Sequence, residues 1–231
     1  MTSAGFMVSF SFLIILSVGL PLAMAVFLLL GRPRHPFFSL LASASALPAF
    51  SLALGAAADP DLTGTVQASW VLTGIGMGLD RMNPPFLLFT SLLWTAAGIY
   101  SYPYLKGNEG RNRFLAFFCS SMAGSVGLVL AQDLVGFYLF FALMTFSAFV
   151  LVIHRGSPSA YRAGRVYIAM AVIGESLVIA AILLIASAGG TSGWQEVPRA
   201  VAGSPFRHWI IGLVLAGFGI KAGVVPLHVW L

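Results

Sequence analysis

Long apolar runs alternate with short polar breaks along almost the whole chain. Seven runs are close to or beyond the roughly 20 residues a helix needs to cross a bilayer. They cover 6–30, 36–57, 84–105, 114–131, 134–153, 160–188 and 208–231. The run at 114–131 is short, and only Gln132 and Asp133 separate it from the next. This pattern predicts an all-α polytopic membrane protein with about seven transmembrane helices in a single membrane domain, 1–231. Residues 1–105 would supply three helices, and 114–231 would begin a second helical unit. The linker at 58–83 is unlike the others. Its stretch 65–73 is rich in β-branched and aromatic residues and is followed by glycines, so it predicts a small hairpin. The linker at 189–207 predicts a short interfacial piece around Trp194.

Composition agrees. The chain is 59% hydrophobic and 8% charged, whereas soluble domains carry about 25% charged residues. The net charge of +5 does not point to nucleic acid, because the basic residues sit in short loops rather than on one surface. They follow a topology pattern instead. Basic residues concentrate in the first loop (Arg32, Arg34), the third (Lys106, Arg111, Arg113) and the fifth (Arg155, Arg162, Arg165). The second and fourth loops carry Asp59, Asp61, Asp80 and Asp133, with Arg81 the only opposing charge, and the sixth is mixed. Cytoplasmic loops collect Lys and Arg. The odd loops are therefore expected inside, the N-terminus outside, and the location is the plasma membrane. A lone cysteine, Cys119, excludes an intrachain disulfide and a thiolate cluster. No metal-ligand spacing, phosphate loop or nucleophile motif occurs, so no metal, cofactor or catalytic centre is expected in this chain.

Two charges interrupt the apolar runs near their middles: Glu175 and Lys221. A charge at that depth costs about 2.5–3.5 kcal/mol on insertion scales and is read as functional by default. Desolvation and a nearby positive charge act in opposite directions on a buried carboxyl, which allows proton exchange near neutral pH. A buried lysine can hold a proton, pass it on or answer a neighbour's charge. Pro226 lacks an amide hydrogen, and its ring clashes with the Ala222 carbonyl. With Gly217, Gly219 and Gly223 nearby, the last helix is expected to break at Pro226, one turn after Lys221. Broken helices inside membranes line water-filled cavities and transport sites. His228, just beyond the break, is a candidate next station for a proton. Asp133, at the start of the fifth run, is either a helix cap or a point where protons enter. Gly124, Ser125 and Gly127 point to close helix packing.

The run from Lys221 through Pro226, Leu227, His228, Trp230 and Leu231 resembles a signature of the antiporter-like subunits of respiratory complex I. Those are relatives of Mrp antiporters and membrane-bound hydrogenases. Asp80 with the span ending Tyr100-Ser101-Tyr102-Pro103-Tyr104, and Asp133-Leu134 with the aromatic run ending at Phe141, are similar to that family's third and fifth helices. The resemblance implies a proton-translocating subunit of an NADH:quinone oxidoreductase-like or hydrogenase assembly. Such a subunit carries no redox cofactor and has other membrane subunits as partners. An Mrp-type cation/proton antiporter and a non-conducting scaffold are the alternatives. The family places a glutamate in helix five to meet the helix-seven lysine. Here that position falls on Ala142, so Glu175 is expected to take over as partner of Lys221. Family members have about twice as many helices, so either a second polypeptide completes the unit or the sequence is a fragment.

Overall fold

The structure is a computed structural model that describes residues 3–31, 33, 35, 37–59, 61–68, 74–108, 110–189 and 193–230, without the side chains of 3–9. Arg32, Arg34, Leu231 and the stretch 69–73, all used in the readings above, lie outside the described residues.

Nine helices and one hairpin are described: α1 (Ser3–Gly31), α2 (Phe37–Ala44), α3 (Leu47–Ala58), β1 (Gly64–Ala68), β2 (Ile75–Leu79), α4 (Pro84–Tyr104), α5 (Arg111–Leu130), α6 (Leu134–Val152), α7 (Pro158–Ser187), α8 (Val197–Gly203) and α9 (Arg207–Ala222). Five stretches are long and apolar enough to cross a membrane: Phe10–Gly31, Phe37–Ala58, Arg111–Leu130, Leu134–Val152 and Pro158–Ser187. The expected third and seventh spans form helices α4 and α9, which fall outside that set. The second span is two helices rather than one. Pro48 cannot donate to the Ala44 carbonyl, and the chain turns at Ser45–Ala46 before α3 starts. Many large apolar side chains face outward, among them Phe12, Phe89, Leu93, Leu183 and Leu215. Soluble monomers rarely expose such a surface, and these faces fit lipid or neighbouring helices.

Helix α5 forms the core. Leu115, Cys119, Met122, Val126 and Leu130 are fully buried on it, with α1 and α6 packed against it. Gly124 permits the close approach of α6: a Cβ there would lie 2.6 Å from the Met144 backbone nitrogen. Helix α7 packs against both α9 and α6.

The loops sort by parity. At one end, Arg111 and Asn112 donate to the Pro33 carbonyl at 3.1 and 3.0 Å, and Arg113 donates to the His154 carbonyl at 3.4 Å. The first, third and fifth loops thus meet there. At the other end β1 and β2 pair antiparallel, Val66 opposite Met77. Of the glycines that follow the β-branched stretch, Gly74 takes a positive φ (94°) just before the return strand, and Gly76 and Gly78 belong to that strand. That strand bridges Ala131, and Asp133 in turn bridges Gly193. The second, fourth and sixth loops are joined through this elbow, and Trp194 donates to the Ala131 carbonyl at 2.9 Å. Asp133 is buried and serves as the N-cap of α6. Its carboxylate accepts from the Gly136 amide at 2.7 Å and the Gly76 amide at 2.5 Å.

His154 gives the basic end a pH dependence. Its ring meets the Asn108 amide at 3.3 Å and stands edge-on to Phe114. Burial, and secondarily the Arg113 charge, push its pKa below the usual histidine value of 6.5. Protons therefore bind the unfolded chain more tightly than the folded one. The contribution to stability is complete above about pH 6.5 and is lost as pH falls below it. Thermal unfolding in detergent should show a larger loss from about pH 8 to about pH 5.5 for the wild type than for His154→Gln. Identical losses would show that His154 does not set this dependence.

Candidate functional site

The site lies where α6, α7 and α9 come together. Two glycines set the distance. A Cβ on Gly217 of α9 would lie 2.7 Å from Val178 Cγ2 and 3.0 Å from the Gly174 carbonyl oxygen of α7. A Cβ on Gly174 would lie 3.3 Å from the Gly217 carbonyl. Small residues let membrane helices approach backbone to backbone. Glu175 follows Gly174 directly, and Lys221 lies one helical turn after Gly217, so this contact aims both charges at one point. Gly217 is thus a packing residue rather than the weak point its sequence context implies.

Glu175 is 4% exposed. Its Oε1 lies 3.9 Å from Lys221 Nζ. This is an ion pair but beyond direct hydrogen bonding, for which donor and acceptor stand within about 3.2 Å. Thr145 of α6 fills the gap. Lys221 Nζ donates to Thr145 Oγ1, and Thr145 Oγ1 donates to Glu175 Oε1 at 2.6 Å. Thr145 is fully buried and also lies 2.8 Å from the Phe141 carbonyl of its own helix. The Lys221 ammonium sits 4.4 Å from the centre of the Phe141 ring, a cation–π contact. Glu175 Oε2 is buried and has no hydrogen-bond partner among the described residues.

The chain beyond Lys221 closes the site from one side. Helix α9 ends at Ala222, and Gly223 takes the left-handed conformation (φ 66°). The Val224 and Gly223 amides return to the Gly219 and Ile220 carbonyls at 3.0 and 3.2 Å, which completes a glycine C-cap. The break thus falls at Gly223, not at Pro226. The left-handed glycine ends the helix before the proline ring can clash with the Ala222 carbonyl. The following turns fold Trp230 back, so that its indole donates to the Ile220 carbonyl at 2.7 Å and its ring stands edge-on to Tyr167. Tyr167 in turn donates to the Thr145 carbonyl at 3.2 Å. A cavity of about 30 Å³, room for a water molecule, lies between Lys221, Tyr167, Ala171, Ile220 and Trp230.

Of the residues singled out from sequence, the structure brings Glu175 and Lys221 together. His228 is exposed, and among the described residues no hydrogen bond or ion pair joins it to them. Asp133 holds the elbow at the far end of α6. Thr145, Tyr167 and Phe141 are site residues that charge-based reading passes over. Thr145 lies three residues after Ala142, on the same face of α6, where the missing helix-five glutamate would project.

Widening this contact should break the site. Gly217→Val forces side-chain or backbone shifts costing about 1–3 kcal/mol and separates Lys221 from Thr145. Lower thermal stability together with weaker proton transfer is expected. Wild-type values for both would show that the α7–α9 contact does not position the pair.

Residues 131–231 match the family model described as NADH:quinone oxidoreductase/Mrp antiporter, transmembrane. A probable K(+)/H(+) antiporter protein from Rhizobium meliloti, itself one component of a multi-subunit antiporter, is 30% identical over 95% of this chain and 43% of its own length. A component of hydrogenase-4 from Escherichia coli is 31% identical over 66% of this chain and 23% of its own. The fold is similar to a chain of respiratory complex I from Thermus thermophilus with bound NADH. The TM-score is 0.77 at 24% identity, over 94% of this chain and 46% of that one. The chain spans less than half the length of these curated relatives.

Proposed function

From the premise that this chain belongs to the NADH:quinone oxidoreductase/Mrp antiporter membrane family, we propose that it is a proton-translocating subunit of a larger membrane assembly. It would be of the complex I or hydrogenase type. One observation carries the reading: an acid and a base from α7 and α9 meet deep in the apolar bundle through Thr145. An idle pair at that depth gains little, because the cost of desolvating two charges offsets their attraction. A pair that trades a proton uses the position.

In this reading Lys221 holds a proton, stabilised by Glu175 and the Phe141 ring. A conformational change in a neighbouring subunit alters the spacing of α7 and α9. The lysine then releases its proton, and Glu175 takes charge changes of the opposite sense. His228 receives protons through water, since it lies outside the pair. All seven sequence-derived spans cross the bilayer, with α4 and α9 completed by neighbouring helices. The basic loop cluster faces the cytoplasm and the hairpin end faces out. Residues 114–231 form the beginning of the conducting unit, and residues 1–105 form the flanking three-helix part. Electron transfer belongs to other parts of the assembly.

A cation/proton antiporter subunit is the second reading, favoured by the similarity to the Rhizobium meliloti antiporter protein. The two separate on ion dependence. In vesicles bearing the native assembly, proton uptake read by a pH-sensitive dye should proceed without added sodium or potassium. A strict requirement for either ion would replace the first reading with the second. A wild-type proton flux from an assembly whose Lys221 and Glu175 are both neutral would leave only a scaffold role.

A further inference from the structure

Within that function, we propose that the Thr145 hydroxyl is itself a station of the proton path, the one through which Lys221 and Glu175 exchange a proton. The inference rests on the reading of the pair as a proton relay.

The geometry leaves no shorter route. Lys221 Nζ and Glu175 Oε1 stand 3.9 Å apart, too far for direct transfer, and Thr145 Oγ1 is hydrogen-bonded to both. A hydroxyl has one hydrogen and two lone pairs. Thr145 Oγ1 has three neighbours: the lysine ammonium, the carboxylate and the Phe141 carbonyl. The ammonium can only donate to it. The single hydroxyl hydrogen must therefore choose between Glu175 Oε1 and the Phe141 carbonyl, and each choice has a different consequence.

With the hydrogen on Glu175, the chain from ammonium to hydroxyl to carboxylate is continuous. One N–H bond at Lys221 breaks as a new O–H bond forms at Thr145 Oγ1. At the same time the original Thr145 O–H bond breaks and an O–H bond forms at Glu175 Oε1. The products are a neutral amine, an intact hydroxyl and a neutral carboxylic acid. Charge and protons balance, and no alkoxide forms. With the hydrogen on the Phe141 carbonyl, the chain is cut and the ion pair stands unexchanged. Rotation about one side-chain bond thus opens or closes the relay.

The surroundings supply what each end then needs. The water-sized cavity beside Lys221 can return a proton to the amine. Glu175 Oε2 has no partner among the described residues; once the carboxyl group turns about its Cγ–Cδ bond, the protonated oxygen takes that position and the acid can pass its proton on. Burial of Thr145 keeps bulk water from bypassing the hydroxyl.

The test uses the full-length chain in its native assembly in vesicles. Thr145→Val removes the hydroxyl with little change of shape, and Thr145→Ala does so with less steric demand. Thr145→Ser keeps it. Proton flux should fall about 10²-fold in the Val and Ala variants, the lower end for loss of a positioned proton donor. It should stay within a few-fold of wild type in the Ser variant. The solvent deuterium isotope effect on flux should also drop in the hydroxyl-free variants, which a packing role would not cause. Wild-type flux in either hydroxyl-free variant that retains its thermal stability overturns the inference. Equal loss in Ser and Val also overturns it. Lys221→Ala, run beside them, separates the two levels. If it too leaves flux intact, the relay reading itself fails; if it abolishes flux while Thr145→Val does not, only the hydroxyl's role fails.

Discussion

Replacing Lys221 with alanine should cut proton translocation by about 10²-fold or more, the scale on which a positioned acid–base group contributes. The lysine is the only Lys or Arg within the apolar part of α9, and three groups from other elements converge on its ammonium: Thr145, Glu175 and the Phe141 ring. Alanine removes the proton carrier and leaves those groups facing a void. Lys221→Arg should rescue little. Arginine keeps the charge but holds its proton at every accessible pH. Flux near wild type in the arginine variant would mean that fixed charge, not proton exchange, is what the site supplies.

The second large effect concerns stability. Breaking a buried ion pair by removing one partner costs about 3–5 kcal/mol. Here the costs differ in kind. Without Lys221, Glu175 keeps only the Thr145 hydroxyl, with Oε2 unpartnered in an apolar setting. Without Glu175, the lysine keeps Thr145 and the Phe141 face, and 26% of its side chain remains exposed. Lys221→Met should therefore destabilise the protein more than Glu175→Gln. The double variant should regain part of the loss, with a coupling of roughly 0.5–3 kcal/mol. Thermal unfolding of the detergent-solubilised protein measures this. Simple addition of the two losses would mean the charges do not sense each other.

Sequence alone made Glu175 and Lys221 legible, because a charge in hydrocarbon has few reasons to be there. It also exposed the loop parity, which the structure repeats as two separate loop clusters. Thr145 was hidden because a hydroxyl in a membrane helix usually bonds its own backbone, as Ser91 and Ser125 do here. Only the three-residue step from Ala142 marked it as facing the pair. The helix ends at Gly223, one of the weak points the sequence offers, rather than at Pro226, for a related reason. Proline carries the obvious steric argument, but the left-handed glycine three residues earlier ends the helix first. The split of the second span at Ser45–Ala46 was foreshadowed by Pro48, yet the continuous apolar pattern masked it. The clamp at Ala131–Asp133 depends on contacts more than fifty residues apart in sequence, which no local pattern encodes.

The central claim is that Glu175 and Lys221 act as one unit. A double-mutant cycle on proton flux tests it most directly, with Glu175→Gln, Lys221→Ala and their combination in the native assembly. The double variant is expected to lose little more than the worse single variant, because either change already severs the relay. Losses that multiply in the double variant would show two independent groups and contradict the claim.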